Sequence, residues 1–423
     1  MGNYRKRIAD KLLEDRLEET GAVVIEGPKW CGKTTSALQH AKSTVYMDDP
    51  TLMGQYKALL TTQPALLLDG EFPRLFDEWQ IAPKLWDVIR HEVDRRGREG
   101  LYILTGSAVP PSMDDVLHSG AGRFSWITMS TMSLWESGES TGTISLKKLF
   151  TGEMQVGKSS HDLQRIAFLL CRGGWPASLD RNERAALRLV YDYYDAVVRS
   201  DVSRVDGVSR NSELTKDLLR CYARMQGSQC SDNALLNDVV ANDRANVSIN
   251  TLRSYLHALR KIFVIREMKA WNPNLRSKTA VRTLPTRYFS DPSIGAAALG
   301  IGPDDLINDL ETFGLMFETM AVRDLMVYAS VLDGDVYHYR DKTGLECDAV
   351  IHLRNGRYGL VEIKLGGDEA IEHGAATLKA LRDKIDTSKM NEPSFMMILT
   401  AVGEFAYQRP DGVWVVPIGA LKD

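Results

Sequence analysis

The run Gly27-Pro28-Lys29-Trp30-Cys31-Gly32-Lys33-Thr34-Thr35 sets two glycines five positions apart, then a lysine and two hydroxyls. Glycines let a loop curl until successive backbone N–H groups face one point, and a following helix N-terminus adds to that positive field. The spacing fits GxxxxGK[ST], whose chemistry is the cradling of a nucleoside triphosphate. In that role Lys33 reaches the β and γ phosphates, Thr34 ligates Mg²⁺, and the residues from Gly27 to Thr35 form the binding loop for ATP.

Such a loop needs a carboxylate strand to hold magnesium and orient water. Two stretches compete: LLLD, ending at Asp69, and LFDE, ending at Asp77 and Glu78. The second carries an acidic pair, in which Asp77 holds the metal through water and Glu78 polarises the attacking water. We therefore choose Asp77 and Glu78 and read Asp69 as an exposed turn residue. Thr105 closes LYILTG, at the strand end where open α/β sheets bind ligands, and is either a reader of the γ-phosphate and its water or a turn threonine. Arg123 in GAGRF is a candidate for neutralising γ-phosphate charge, in cis or from a neighbouring subunit of a homo-oligomer; the alternative is a solvated arginine opening a strand.

GPKWCGKTT, LFDEWQ, YILTGSA, AGRFSWITMSTMSLWESG and CRGGWPASL occur in that order over roughly the first half. Together they resemble the successive signatures of the AAA-type P-loop ATPases of bacteria and archaea whose C-terminal part is a domain of unknown function with a nuclease-like fold. The resemblance implies an AAA-like core that binds ATP with Mg²⁺. Where that family's acidic strand has apolar residues, this chain has Pro73-Arg74. Near the C-terminus, ECDAVIHLRNGRYGLVEIKLG resembles the metal core of the PD-(D/E)XK nucleases. Asp348 stands for the first acid, with Cys347 where proline is typical, Glu362 and Lys364 for the second motif, and Glu318 in LMFETMAV for the preceding helical acid.

Register tests that site from the residues. A two-residue turn at Asn355-Gly356 would set Glu362 opposite Ala349, on the face bearing Cys347, Ile351 and Leu353. A three-residue loop, Arg354-Asn355-Gly356 with Gly356 left-handed, pairs Leu353 with Arg357 and brings Asp348 opposite Glu362, with Lys364 on the same face two residues on. The second register makes the apolar rows coincide, and neighbours across it stand about 5 Å apart at Cβ, close enough to share a divalent ion. The alternatives are a hairpin with a surface Glu–Lys pair, or a nuclease fold kept for binding.

The formal charge is −4, yet Arg244 to Arg287 holds ten Lys or Arg against one acid, Glu267, a local +9. Within it Ser248 is a possible N-cap, and Leu252, Leu256 and Leu259 share one helical face. The strand-like IFVIREM follows, and the helical run Asn233 to Val240 precedes. A helix-turn-helix with a β-ribbon, hence a winged helix, is the expected arrangement. It sets Arg253, Arg260 and Lys261 near a nucleic-acid backbone, with Asn250 and Thr251 toward base edges, and DNA becomes a candidate partner. The competing reading is a helical packing module facing the acidic remainder.

The elements that must position these residues follow from periodicity. Ile8, Leu12, Leu13 and Leu17 mark an amphipathic opening helix. Strands are expected at Ala22 to Gly27, Ser43 to Asp48, Arg74 to Glu78, Leu101 to Gly106 and Phe124 to Met129, with helices between, notably Lys84 to Arg96. That alternation predicts a mainly parallel sheet covered on both faces. The pattern from Ser160 to His257 is mostly helical, and Thr312 to Asp423 is mixed. The fold class is therefore α/β: an AAA-type P-loop parallel sheet domain (1–140), a helical region completing it (141–230), a basic winged-helix-like region (231–290) and a mixed α/β nuclease-like domain (291–423).

With 423 residues, 44% apolar and 26% charged, the chain is too long for one small module and too apolar for a disordered or collagenous one. Five scattered cysteines without a CxxC pair predict free thiols. No apolar run approaches a membrane span and the first twenty residues are charged, so a cytoplasmic protein without membrane contact is expected. Two functions fit: an ATPase motor or switch on nucleic acid with a possible Mg²⁺-dependent nuclease, or an ATP-dependent regulatory module whose nuclease-like domain recognises a partner without cutting it.

Overall fold

A computed structural model of the chain describes residues 4–108, 120–242, 247–273 and 284–423. The chain divides into two compact units. The first comprises residues 1–131, 199–210 and 257–263; the second comprises the remainder.

In the first unit helix α1 (Ile8–Glu19) leads into strand β1 (Ala22–Glu26) and helix α2 (Lys33–His40). Then come β2 (Ser43–Tyr46), α3 (Met53–Thr62), α4 (Pro64–Leu68), β3 (Arg74–Asp77), α5 (Leu85–Arg96), β4 (Tyr102–Gly106) and β5 (Phe124–Thr128). The strands form one sheet in the order β2-β3-β4-β1-β5, and every pairing is parallel. Period-two alternation divides its core. Ala22, Val24, Phe76, Tyr102 and Leu104 pack on one face with Trp86 and Ile89 of α5. Val23, Ile25, Leu75, Ile103 and Ile127 pack on the other with Leu13 of α1 and Ala37 of α2. Burial on both faces is why these strands read as near-continuous apolar runs. LLLD, the competitor for the acidic strand, lies in and just after the short helix α4, beyond the sheet.

The second unit is helical first, including Leu163–Arg172, Glu183–Ala196, Ser212–Arg224 and Asp232–Asn242. A two-stranded antiparallel ribbon, Ile265–Met268 with Thr286–Phe289, follows the helix Ile249–Lys261, which belongs to the second unit up to Leu256. Its seven-stranded mixed sheet runs Gly334–Arg340, Glu346–Leu353, Tyr358–Lys364, Phe395–Thr400, Trp414–Pro417, Phe405–Gln408 and Gly157–Lys158. The helices Leu310–Ser330 and Asp368–Lys384 pack on it.

The two compact units interleave along the chain, where the expected four-part division is serial. Residues 199–210 and 257–263 return to the first unit. Gly- and Ser-rich stretches mark exposed connections; they carry no information on which later helices pack back.

Candidate functional site

The phosphate loop leaves β1 at Gly27, whose φ of 147° belongs to glycine and whose missing Cβ would fall 2.1 Å from the Met129 carbonyl oxygen. Gly32, at φ 103°, is the N-cap of α2. Between them Trp30 holds φ 65° and is half exposed. The loop is tied from below by Arg7, 4% exposed, whose guanidinium donates to the carbonyls of Cys31 (2.7 Å) and Ser130 (2.9 Å). Lys33 is buried, and its ammonium donates to the carbonyls of Gly27 (2.9 Å) and Pro28 (2.8 Å). These are acceptors that a phosphate would replace. Thr35 is exposed one residue into the helix beyond Thr34.

Parallel register brings the acids to the same end of the sheet. Asp77 aligns with Thr105, and Thr105 aligns with Ile25, just ahead of the loop. Thr34 Oγ1 donates to Asp77 Oδ1 at 2.7 Å, and Thr105 Oγ1 donates to the same oxygen. Burial pushes the Asp77 carboxyl above its ordinary range; the two hydroxyl hydrogen bonds oppose this, while the charges of Glu78 and Asp48 add to it. Glu78 sits in the left-handed region at φ 54° and accepts from Ser107 Oγ (2.9 Å) and from Gln80 Nε2. A strained non-glycine residue held by two side chains marks a position where geometry is imposed.

Asp69 stays outside this cluster: its side chain is 79% exposed and lies 3.7 Å from Arg96. Arg123 lies away from the loop in this chain. It precedes β5, whose first residue aligns with Ala22 at the start of β1, so it lies at the opposite end of the sheet from the phosphate loop and pairs with Asp94 at 2.7 Å. A role in cis on the γ-phosphate is excluded by that topology. Ser107, Gln80 and Arg7 were not singled out from sequence, although Gln80 and Ser107 lie inside the quoted LFDEWQ and YILTGSA runs.

In the second unit the hairpin has the three-residue loop: Gly356 is at φ 84°, Leu353 N donates to Arg357 O, and Ala349 pairs with Val361. Continued by one step, that register would set Asp348 opposite Glu362. The reason given for that register needs correcting, because both faces are covered: Ala349, Val350, Ile351, Leu360 and Val361 are all fully buried, and Glu362 itself is 4% exposed. Asp348 Oδ2 accepts from the Ile363 N–H at 2.7 Å, standing in for a ladder carbonyl. Lys364 bridges the two acids, 2.7 Å from Glu362 Oε2 and 3.1 Å from Asp348 Oδ2. Burial and then the charge of Asp348 raise Glu362, against the opposing lysine. The same two causes raise Glu318, which accepts from the buried Tyr288 hydroxyl. Among the described residues no group of three or more His, Cys, Asp or Glu is placed to hold a metal ion.

The basic region has the expected helices and ribbon, with Ser248 Oγ accepting from Thr251 N at 3.1 Å as an N-cap. Leu252, Leu256 and Leu259 are buried, while Asn250, Thr251, Arg253 and His257 are exposed. Arg253 is 60% exposed and pairs with Asp232 at 3.0 Å, which Arg287 also holds at 2.7 Å. Arg260 and Lys261 are only partly exposed. Arg244, Arg276, Lys278 and Arg282 lie outside the described residues. None of the five cysteines is in a disulfide, and among the described residues no helix is long and apolar enough to cross a membrane.

Residues 19–137 match the family described as an AAA domain. Residues 163–305 and 313–421 match two domains of unknown function, DUF8612 and DUF4143. The uncharacterized proteins Rv2008c of Mycobacterium tuberculosis and Mb2031c of Mycobacterium bovis are each 25% identical to this chain over 367 residues, 85% of this chain and 74% of theirs. Among solved structures, the Walker-type ATPase PABY2304 of Pyrococcus abyssi is similar with a TM-score of 0.43 at 14% identity, over 68% of this chain and 94% of that one. The ORC1 protein of Aeropyrum pernix, solved in complex with DNA, has a TM-score of 0.24 at 14% identity, over 73% and 95%.

Proposed function

We propose that the AAA domain of residues 19–137 binds ATP with Mg²⁺ and hydrolyses it, and that the chain works as an ATP-dependent switch on nucleic acid. The observation that carries this reading is the convergence of Lys33, Thr34, Asp77, Thr105 and Glu78 at one end of a parallel sheet. A hydroxyl and a carboxylate 2.7 Å apart are hard oxygen donors of the kind Mg²⁺ takes, so Thr34 and Asp77 fit as its protein ligands beside phosphate and water. When bound, the ion neutralises charge on the β and γ oxygens. Lys33 exchanges its loop carbonyls for phosphate oxygens. Glu78 orients the attacking water, and Ser107 and Gln80 hold its carboxylate in place. Thr105 positions Asp77.

The nucleic-acid contact is assigned to the exposed face of the helix Ile249–Lys261 and the ribbon beside it, with Arg253 outermost and Arg260 and Lys261 at its end. Recognition without cutting is favoured for the C-terminal site. Lys364 already pairs with both Asp348 and Glu362, and among the described residues no group of three or more His, Cys, Asp or Glu is placed to hold a metal ion. The purified chain should release phosphate from ATP in Mg²⁺ buffer. It should retain labelled duplex uncut in Mg²⁺ or Mn²⁺, with and without ATP. Cleavage that disappears in Glu362→Ala while ATP turnover persists would restore the nuclease reading.

A further inference from the structure

The phosphate loop holds a second lysine that the chemistry above leaves unused. Lys29 is the third residue of the loop, four before the start of α2, and its side chain is 44% exposed. Its ammonium lies 2.6 Å from Asp201 Oδ1, a carboxylate 172 residues further along the chain. Both residues belong to the first unit. The Asp201 side chain is 10% exposed, and Lys29 is its ion-pair partner there.

Asp201 closes the π-helical turn Val197–Asp201. Such turns carry one residue more than an α-helical turn and recur at functional sites, where the surplus can be absorbed or released. Beyond the turn, Arg210 holds both carboxylate oxygens of Asp206 at 2.7 Å and the Val202 carbonyl at 2.7 Å. The far end of the segment is thus fixed independently, and Lys29 supplies an ion-pair tie at its near end, beside the buried Val202 and Val205.

The charges make this tie sensitive to what the loop binds. An empty loop presents N–H groups and two ammonium groups, and its inner lysine is satisfied by loop carbonyls. A triphosphate brings its most highly charged group to the outer part of the loop, away from the helix N-terminus that holds the inner phosphates. There it competes with a single carboxylate for Lys29, and its own charge repels that carboxylate. A poorly hydrated acid that loses its counter-ion is unstable where it stands, so the residues carrying it must move toward water.

We propose that Asp201 is a latch that holds Lys29 in the nucleotide-free loop, and that the terminal phosphate of ATP draws Lys29 away and frees residues 199–206. Lys29 is then both a further phosphate ligand and the reporter of whether the γ-phosphate is present. This rests on the nucleotide reading above. ADP, which lacks the outer phosphate, leaves the latch closed.

The test is a set of fluorescence titrations of the full chain with mant-ATP and mant-ADP, on wild type, Asp201→Asn, Lys29→Met and the double variant, each first checked for folding by thermal melting. Asp201→Asn removes the competitor and should tighten mant-ATP about fivefold, the scale of one half-exposed ion pair, while mant-ADP moves less than about twofold. Lys29→Met should weaken mant-ATP and cancel the effect of Asp201→Asn in the double variant. Hydrogen exchange of residues 199–206 in wild type should quicken with a non-hydrolysable ATP analogue and not with ADP. The latch is overturned by an Asp201→Asn effect that is absent, reversed, equal for ADP, or undiminished in the Lys29→Met background. It is also overturned by equal exchange with both nucleotides. A wild type that binds neither nucleotide overturns the nucleotide site itself, and the latch with it.

Discussion

Replacing Asp77 by Asn separates the work of this acid in the fold from its work in catalysis. The side chain is 7% exposed and accepts two hydroxyl hydrogen bonds on one oxygen. Asn keeps an acceptor of the same shape. Changing charged acceptors to neutral ones costs about 1 kcal/mol per bond, and relief from burying a carboxylate returns a similar amount. The net change without metal should be within about 1 kcal/mol, or roughly 4 °C or less in Tm. The direction follows from the raised Asp77 carboxyl. In the folded chain it keeps its proton to higher pH than in the unfolded one. Its contribution is complete below the ordinary value of 3.8 and is lost as pH rises through the raised value. At neutral pH the Asn variant should therefore melt at or above wild type in EDTA. Phosphate release with Mg²⁺–ATP should fall about 100-fold or more, because a metal-holding carboxylate is gone. Scanning fluorimetry in EDTA and phosphate release in Mg²⁺ read the two halves. A Tm drop of 10 °C or more in EDTA would make Asp77 a structural acid. Full turnover in Asp77→Asn with loss in Asp69→Asn would refute the choice of strand.

Lys33→Ala should abolish nucleotide binding measured by mant-ATP titration, whereas Glu78→Gln should bind normally and turn over about 100-fold more slowly; equal loss of binding in both would end that division of roles. Reversing Arg253, Arg260 and Lys261 together should flatten the dependence of duplex affinity on salt, and an unchanged slope would hand that surface to intramolecular packing. Glu362 is raised from 4.5 to about 7, so its ionisation weakens the fold as pH rises through that window. Glu362→Gln should accordingly raise Tm more at pH 8 than at pH 5. An equal shift at both pH values would show that Lys364 fully offsets the buried charge.

The legible parts of the sequence were those where a local pattern dictates a local shape. All five strands of the first sheet were readable because each carries β-branched or aromatic residues in a short run. The hairpin register was legible through the three-residue loop with Gly356 left-handed, although the one-covered-face argument that chose it did not hold. A cis role for Arg123 was illegible for a topological reason: the residue before a strand lies at the opposite end of a parallel sheet from the loop, and a charge beside GAG carries no mark of that; a role from a neighbouring subunit stays a proposal. The burial of Glu362 was illegible because alternation reveals one covered side and is blind to a second cover supplied by remote helices. Arg7 and Asp201 could not be found at all, since an arginine among N-terminal charges and an aspartate in a helical run look like solvated side chains until distant carbonyls or a distant lysine meet them.

The chain passes between the two units five times. During synthesis, the first unit therefore cannot finish when its sheet emerges. It waits for residues 199–210, which bring the partner of Lys29, and then for residues 257–263. A nascent phosphate loop is left with an untied lysine while more than a hundred residues are still to be made, and that is an interval in which premature nucleotide capture or chaperone contact is possible. A fragment ending at residue 140 would freeze the protein in that interval. Such a fragment should be poorly soluble and should report on an assembly intermediate, so biochemistry on the isolated N-terminal part would describe a different molecule from the one the finished chain makes.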